Sequence, residues 1–352
     1  MANELQATLD QITPLSAEWL QAAQARLDDL TKPRGSLGQL EVLAQRYVAI
    51  REESGPGITG KRVLVCVSDH EVVAEGVSAY PAEVTGLMVQ NFLAGGAAIN
   101  VLARQAGAKV QVVDVGMKDD LGDVPGLLRR NVRRGAGNIA RGPAMSVDEA
   151  RRAVEVGIEL ARQAAAEGVS LLGTGDMGIG NTTPSSALYA ALLPCDPADV
   201  TGPGTGLPAD QLPGKTATIR RALATNRERL NDPLSTLAAV GGLEIAAIAG
   251  ICLGGAASRV AVVVDGFISG AGALVAMRLC PTASHYLFFS HRSAEPGHRA
   301  FFERERLRPV LDLDMRLGEG TGAALAMQLI ESAVAVYREM ATFSQVGITP
   351  GA

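Results

Sequence analysis

The feature that most constrains this chain is a repeating unit: a short, apolar, β-branched run, then a loop, then a helical pattern. It occurs as KRVLVCVSDH at 61–70, AKVQVVDVG at 108–116, VSLLGTGD at 169–176 and SRVAVVVDG at 258–266. Each run is apolar nearly throughout and does not alternate, as in strands covered on both faces. Strands separated by helices are joined by crossovers, which favour a parallel sheet. Two more runs, ASHYLFFSH at 283–291 and RPVLDLDM at 308–315, extend the sheet or border it. The expected fold is α/β: a doubly wound, mostly parallel sheet with helices on both faces.

The chain ends read differently. Residues 16–30 and 322–340 carry amphipathic helical patterns outside the strand-bearing region, and TKPRGSLG at 31–38 breaks the first of them. A small helical domain built from both ends, 1–38 and 316–352, is therefore expected beside a large α/β domain, 39–315. The apolar segment 237–257 reads as a buried helix and not a membrane span, because it holds Glu244 and several glycines.

With 47% hydrophobic and 20% charged residues the chain can bury a large core, and a net charge of −5 offers no basic field for a nucleic acid. Four scattered cysteines without CxxC pairing fit a reducing compartment, and the first twenty residues lack the basic start and apolar stretch of a signal peptide. A cytoplasmic location is the expectation.

In open α/β sheets ligands bind beyond the carboxyl ends of the strands. The richest such edge is GTGDMGIGNTTPSSAL, 173–188, whose glycines and following helix start suit an anion. Gly173, Gly175 and Gly178 also satisfy GxGxxG, a weak match in a chain with 40 glycines. TGPGTGLPADQLPGKT, 201–216, ends like a P-loop but has Ala209 where the pattern needs glycine, and no strand leads into it. Lys215 is left as either a point charge for one phosphate or a solvated surface lysine. SHRSAEPGH, 290–298, lacks metal-ligand spacing and offers hydroxyls and amides, Ser293 among them. In MRLGEGTGAALAMQL, 315–329, Glu319 between two glycines can approach a substrate closely or serve a helix dipole. His70, after the first strand, is a catalytic acid or a capped loop residue.

Together, TKPRGSLG, SDHEVVAEGVSAYPAEVT, GDMGIGNTTPSSAL, GPGTGL with Lys215, VDGFISGAGAL, SHRSAEPGH and LDLDMRLGEGTGA resemble the nicotinate-nucleotide:dimethylbenzimidazole phosphoribosyltransferases along nearly the whole chain. The resemblance implies transfer of ribose 5-phosphate from nicotinate mononucleotide to a benzimidazole-type base for cobalamin assembly. It also implies a homodimer whose partner subunit covers the site, and no metal or other cofactor. Glu319 matches the family's general base; Asp176 stands where the family usually has Glu and matches an auxiliary carboxylate. Gly178, Gly180, Asn181, Gly204, Lys215 and Ser293 match the phosphate and ribose cradle, and Gln90, Met177 and Leu317 the lining of the base pocket. Two competing readings are an NAD-dependent Rossmann oxidoreductase, raised by GxGxxG, and a base- or nucleotide-sequestering protein without turnover.

Overall fold

The computed structural model describes residues 4–347; residues 1–3 and 348–352, the outermost parts of the two terminal segments, lie outside the described residues. Six strands form one sheet: β1 (Lys61–Ser68), β2 (Lys109–Gly116), β3 (Leu127–Arg129), β4 (Leu171–Met177), β5 (Ala261–Val264) and β6 (Leu287–Phe289). Their order is β3-β2-β1-β4-β5-β6 and every pair is parallel. The chain winds outward from β1 to β3, returns to β1's other side as β4, and winds outward again to β6. The loops leaving β1 and β4 diverge at that reversal, which opens a crevice at their carboxyl ends.

The helices that build the core and the site are α1 (Ala17–Asp29), α2 (Gln39–Arg51), α3 (Val84–Leu93), α4 (Ala98–Ala106), α5 (Val147–Ala166), α6 (Thr182–Leu192), α7 (Leu212–Thr225), α8 (Pro233–Val240), α9 (Leu243–Ala257), α10 (Phe267–Leu279) and α11 (Thr321–Glu339). They cover both faces of the sheet. Along β1, Val63 meets the start of α11 at Gly320, while Ser68 lies beside Gly116 against Leu243 of α9, so odd and even residues feed opposite layers. On the α9 side, a β-carbon at Gly157 of α5 would run into the Ala247 carbonyl, and one at Gly250 into that of Val154. The two helices therefore cross backbone to backbone, which small residues alone permit. The chain ends are tied together: the Arg26 guanidinium of α1 donates to the carbonyls of Tyr337 and Arg338 at the end of α11 (2.7 and 3.0 Å).

Five of the six predicted runs hold a strand. The run at 308–315 borders the sheet without joining it: Leu311 makes a single bridge to His291, and Leu313 is exposed where a sheet strand needs cover. Strand β3 escapes the sequence pattern, because three residues at an edge are too few to register. The segment 237–257 is buried as expected, but as two helices and not one. Its break at Gly242 makes room for a buried pair, since a β-carbon there would strike both the His70 ring and the Glu244 carboxylate. Among the described residues, Val84–Ala106 is long and apolar enough by composition to cross a membrane; it is folded as α3 and α4 with a turn at Ala94 and Gly95 between them.

Candidate active site

The switch point collects carboxylates from three elements. Asp176 stands near the end of β4, Asp265 directly follows β5, and Glu319 lies in the hairpin that starts α11. Gly318, Glu319 and Gly320 are all left-handed, with φ of 85°, 63° and 93°. This conformation is ordinary for glycine and strained for glutamate. Glu319 is 6% exposed, and its Oε2 accepts the Ile99 N–H (3.3 Å) in the first turn of α4. The carboxylate thus serves a helix start other than the one it precedes. Beneath the hairpin lies Asp176, whose carboxylate faces Gly318 and accepts from Asn181 Nδ2 at 3.1 Å. Its Oδ1 is buried with no protein partner.

Burial pushes the Glu319 carboxyl above the usual glutamate range; the Ile99 N–H opposes this and the charge of Asp265 adds to it. Asp176 is raised well above the ordinary aspartate value, first by burial, then by Asp265 and Glu244. A raised carboxyl such as Glu319 is, in its ionised form, the stronger base, which suits a group that must accept a proton.

Beside the carboxylates lies a glycine-rich turn with a buried lysine. From Met177, the last residue of β4, the chain passes through Gly178 and Gly180 (φ 89°) into α6, whose N-cap Asn181 makes no side-chain cap bond and donates its amide Nδ2 to Asp176. Lys215 does not sit on the surface: it is 1% exposed, and its Nζ donates to Thr182 Oγ1 (2.8 Å) and the Gly202 carbonyl (2.9 Å). Burial brings its ammonium down to about 8, with Glu295 beside it acting the other way. Gly204 lies against Thr182 and Lys215, gives its N–H to Glu295 Oε1 (2.9 Å) and accepts from Arg316 Nη1 (3.1 Å). Ser293 is buried in the same region, its N–H donating to His298 Nδ1 at 2.8 Å.

The structure thus groups Gly204 and Lys215 on one side and Asp176, Asn181, Gly178 and the Glu319 hairpin on the other. The residues expected to line a base pocket are less enclosed: Met177 is half-buried, Gln90 is exposed on α3, and Leu317 is 58% exposed. Gly173 and Gly175 lie inside β4 and not in the turn after it. A dinucleotide fingerprint needs glycines in that turn; here they admit α11, with Gly173 against Met327 and Ala323 and Gly175 against the Glu319 carbonyl. His70 stands at the N-cap of the short helical turn Glu71–Glu75 without a side-chain cap bond, and is buried with its Nε2 2.7 Å from Glu244 Oε1, under Gly178. Sequence reasoning assigns no role to Asp265, Thr182, Glu295 or Arg316. Asp265 carries a usable signal, an acidic residue at a strand's carboxyl end; the other three acquire meaning only through their neighbours in space.

The phosphoribosyltransferase family profile matches residues 12–348. A nicotinate-nucleotide–dimethylbenzimidazole phosphoribosyltransferase from Pelodictyon phaeoclathratiforme is 55% identical over 349 residues, 99% of each chain. The protein of that name from Geobacter metallireducens is 55% identical over 347 residues, 99% of this chain and 98% of its own. The crystal structure of CobT from Thermus thermophilus superposes with a TM-score of 0.91 at 50% identity, covering 95% of this chain and all of that one. With its sheet order, strand-end carboxylates and lysine cradle, the chain belongs to the nicotinate-nucleotide–dimethylbenzimidazole phosphoribosyltransferase family.

Proposed function

We propose that the protein transfers ribose 5-phosphate from nicotinate mononucleotide to 5,6-dimethylbenzimidazole or a related base, yielding α-ribazole 5′-phosphate and nicotinate for the nucleotide loop of cobalamin. The observation that supports this reading is that the buried Glu319 carboxylate, on the hairpin that starts α11, is linked through Arg316 and Gly204 to the buried Lys215 ammonium. The imine nitrogen of the base attacks the anomeric carbon of the ribose. The bond to the pyridinium nitrogen breaks with its electron pair, and nicotinate leaves without needing an acid. The new N-ribosyl benzimidazolium carries one positive charge, which is discharged when Glu319 takes its N–H proton. Attack opposite the leaving group turns the β-nucleotide into an α product.

Lys215, with the amides of Gly178 and Gly180, the Gly204 turn and the Ser293 hydroxyl, holds the phosphate and ribose. A phosphate displaces the Thr182 and Gly202 contacts of the ammonium with charge-assisted bonds, which are stronger. Gln90, Met177 and Leu317 line the base site, and Asp176 has an auxiliary role. Neither metal nor organic cofactor takes part in this reading, and the setting is the cytoplasm.

The active unit in this reading is a homodimer. Leu87 (62% exposed), Leu317, Tyr80 and Val101 are exposed apolar side chains on elements that border the open base site. Covering them with a second copy would complete the site's wall. The test is to incubate the protein with nicotinate mononucleotide and 5,6-dimethylbenzimidazole, with a chelator present, and to follow both products by chromatography and NMR. Equimolar nicotinate and α-linked ribazole phosphate are expected; β-linked product, or nicotinate released without the base, would contradict the mechanism.

A further inference from the structure

The Glu319 hairpin is strained, and something must hold it. Three successive left-handed residues, one of them non-glycine, persist only where the surroundings over-determine them. Helix α11 also starts without a side-chain cap, since its N-cap is Gly320. Both needs meet in one side chain from another element.

Asp265 is fully buried at the end of β5. Its Oδ2 accepts the Gly320 N–H and its Oδ1 the Ala323 N–H, both at 3.0 Å, and the Gly322 amide also bonds to it. Asp265 is itself fixed: its N–H donates to Thr174 Oγ1 (3.1 Å) on β4, and its carbonyl accepts from Ser290 Oγ (2.9 Å) beyond β6. We infer that Asp265 is the positioning residue of the reaction, clamping the first turn of α11 from below so that Glu319 is presented to the base in its left-handed conformation. The inference rests on the reading of Glu319 as general base.

The carboxylate does more than a local cap would. A cap from Gly320's own position bonds only its own helix, whereas Asp265 ties α11 to three neighbouring strands through Thr174 and Ser290. The titratable groups facing it are Glu319 from the hairpin, Asp176 from β4 and His291 from the segment after β6. With Glu244 facing Asp176 from α9, the Asp265 carboxyl, itself raised above the ordinary aspartate range by burial, adds to the upward shift of Glu319.

The test compares the full-length wild type with Asp265→Asn, Glu319→Gln and the double variant, using kcat, KM and pH profiles. In Asp265→Asn one acceptor becomes a donor facing an N–H, while the shape is kept. The expected result is a kcat lower by roughly thirtyfold or more, a KM for nicotinate mononucleotide changed by less than about threefold, and an acidic limb moved to lower pH. The double variant should be no slower than Glu319→Gln alone, within about twofold. Losses that multiply in the double variant, or a normal kcat in Asp265→Asn, would overturn the positioning role. A near-normal Glu319→Gln would instead remove the base reading itself. Should Asp265→Asn fail to fold, wild-type hydrogen exchange decides: the Gly320 and Ala323 amides are expected among the slowest in the chain, and rapid exchange there refutes the clamp.

Discussion

The backbone carbonyl of Glu319 rests on Gly175 of β4, so closely that a β-carbon on Gly175 would lie 2.5 Å from it. The proposed general base is therefore set by a contact between a glycine of the strand, which has no side chain, and a hairpin in the left-handed region. Gly175→Ala should lift the hairpin while leaving the sheet intact. We expect kcat to fall about a hundredfold at a stability cost of about 1–3 kcal/mol. Steady-state kinetics and thermal melting of the purified variant check both values; unchanged kcat would mean that the hairpin's height is not critical.

The pH dependence follows from Glu319. Its carboxyl is raised above the ordinary range by burial and by Asp265, and the protonated form cannot accept the base's proton. Turnover should thus fall as pH drops through that raised value and be constant above it. A kcat profile measured with saturating substrates shows this limb, and Glu319→Gln should erase it from whatever turnover remains.

Lys215 gives a prediction for stability. Its pKa is lowered from 10.5 to about 8 in the folded chain, chiefly by burial. The unfolded chain then holds more protons than the folded one between those two values, so the penalty is full below about 8 and fades as pH rises toward 10.5. It amounts to roughly 3 kcal/mol, at about 1.4 kcal/mol per unit. The stability difference between wild type and Lys215→Met, followed by denaturant titration, should shift toward the wild type over that window. The same substitution should raise KM for nicotinate mononucleotide at least tenfold with little change in kcat; an unchanged KM would take Lys215 out of the phosphate site.

Asp176 is already favoured in its neutral form by burial and by its acidic neighbours. Asp176→Asn, neutral and of the same shape, should reduce kcat by less than about fivefold. A loss close to that of Glu319→Gln, measured under the same conditions, would make Asp176 a charged participant instead of an auxiliary.

The sheet is legible in the sequence wherever a strand is long and covered on both faces, as in VLVCV of β1 or VVVD at β5. It is not legible at β3, which has three residues and an open edge; the run at 308–315 borders the sheet, one of the two placements its pattern allows. At the site, Glu319 and the Gly178 loop are visible because chemistry and glycine spacing coincide within a few residues. Lys215 is ambiguous because its burial depends on Thr182, Gly202 and Glu295, which are distant in sequence. Gly175 misleads: as part of GxGxxG it suggests a dinucleotide, whereas its purpose emerges only once the Glu319 carbonyl is seen against it. Asp265 and the His70–Glu244 pair are likewise meaningful only through partners that the fold supplies.

The most direct test is single-turnover chemistry in Glu319→Gln. Glutamine keeps the size and the acceptor that meets the Ile99 N–H but has no basicity. Glu319 as proton acceptor predicts a rate of α-ribazole 5′-phosphate formation lower by about a hundredfold or more, with dissociation constants for both substrates within about threefold of wild type. A single-turnover rate within about fivefold of wild type, in a variant shown to bind both substrates, would contradict it.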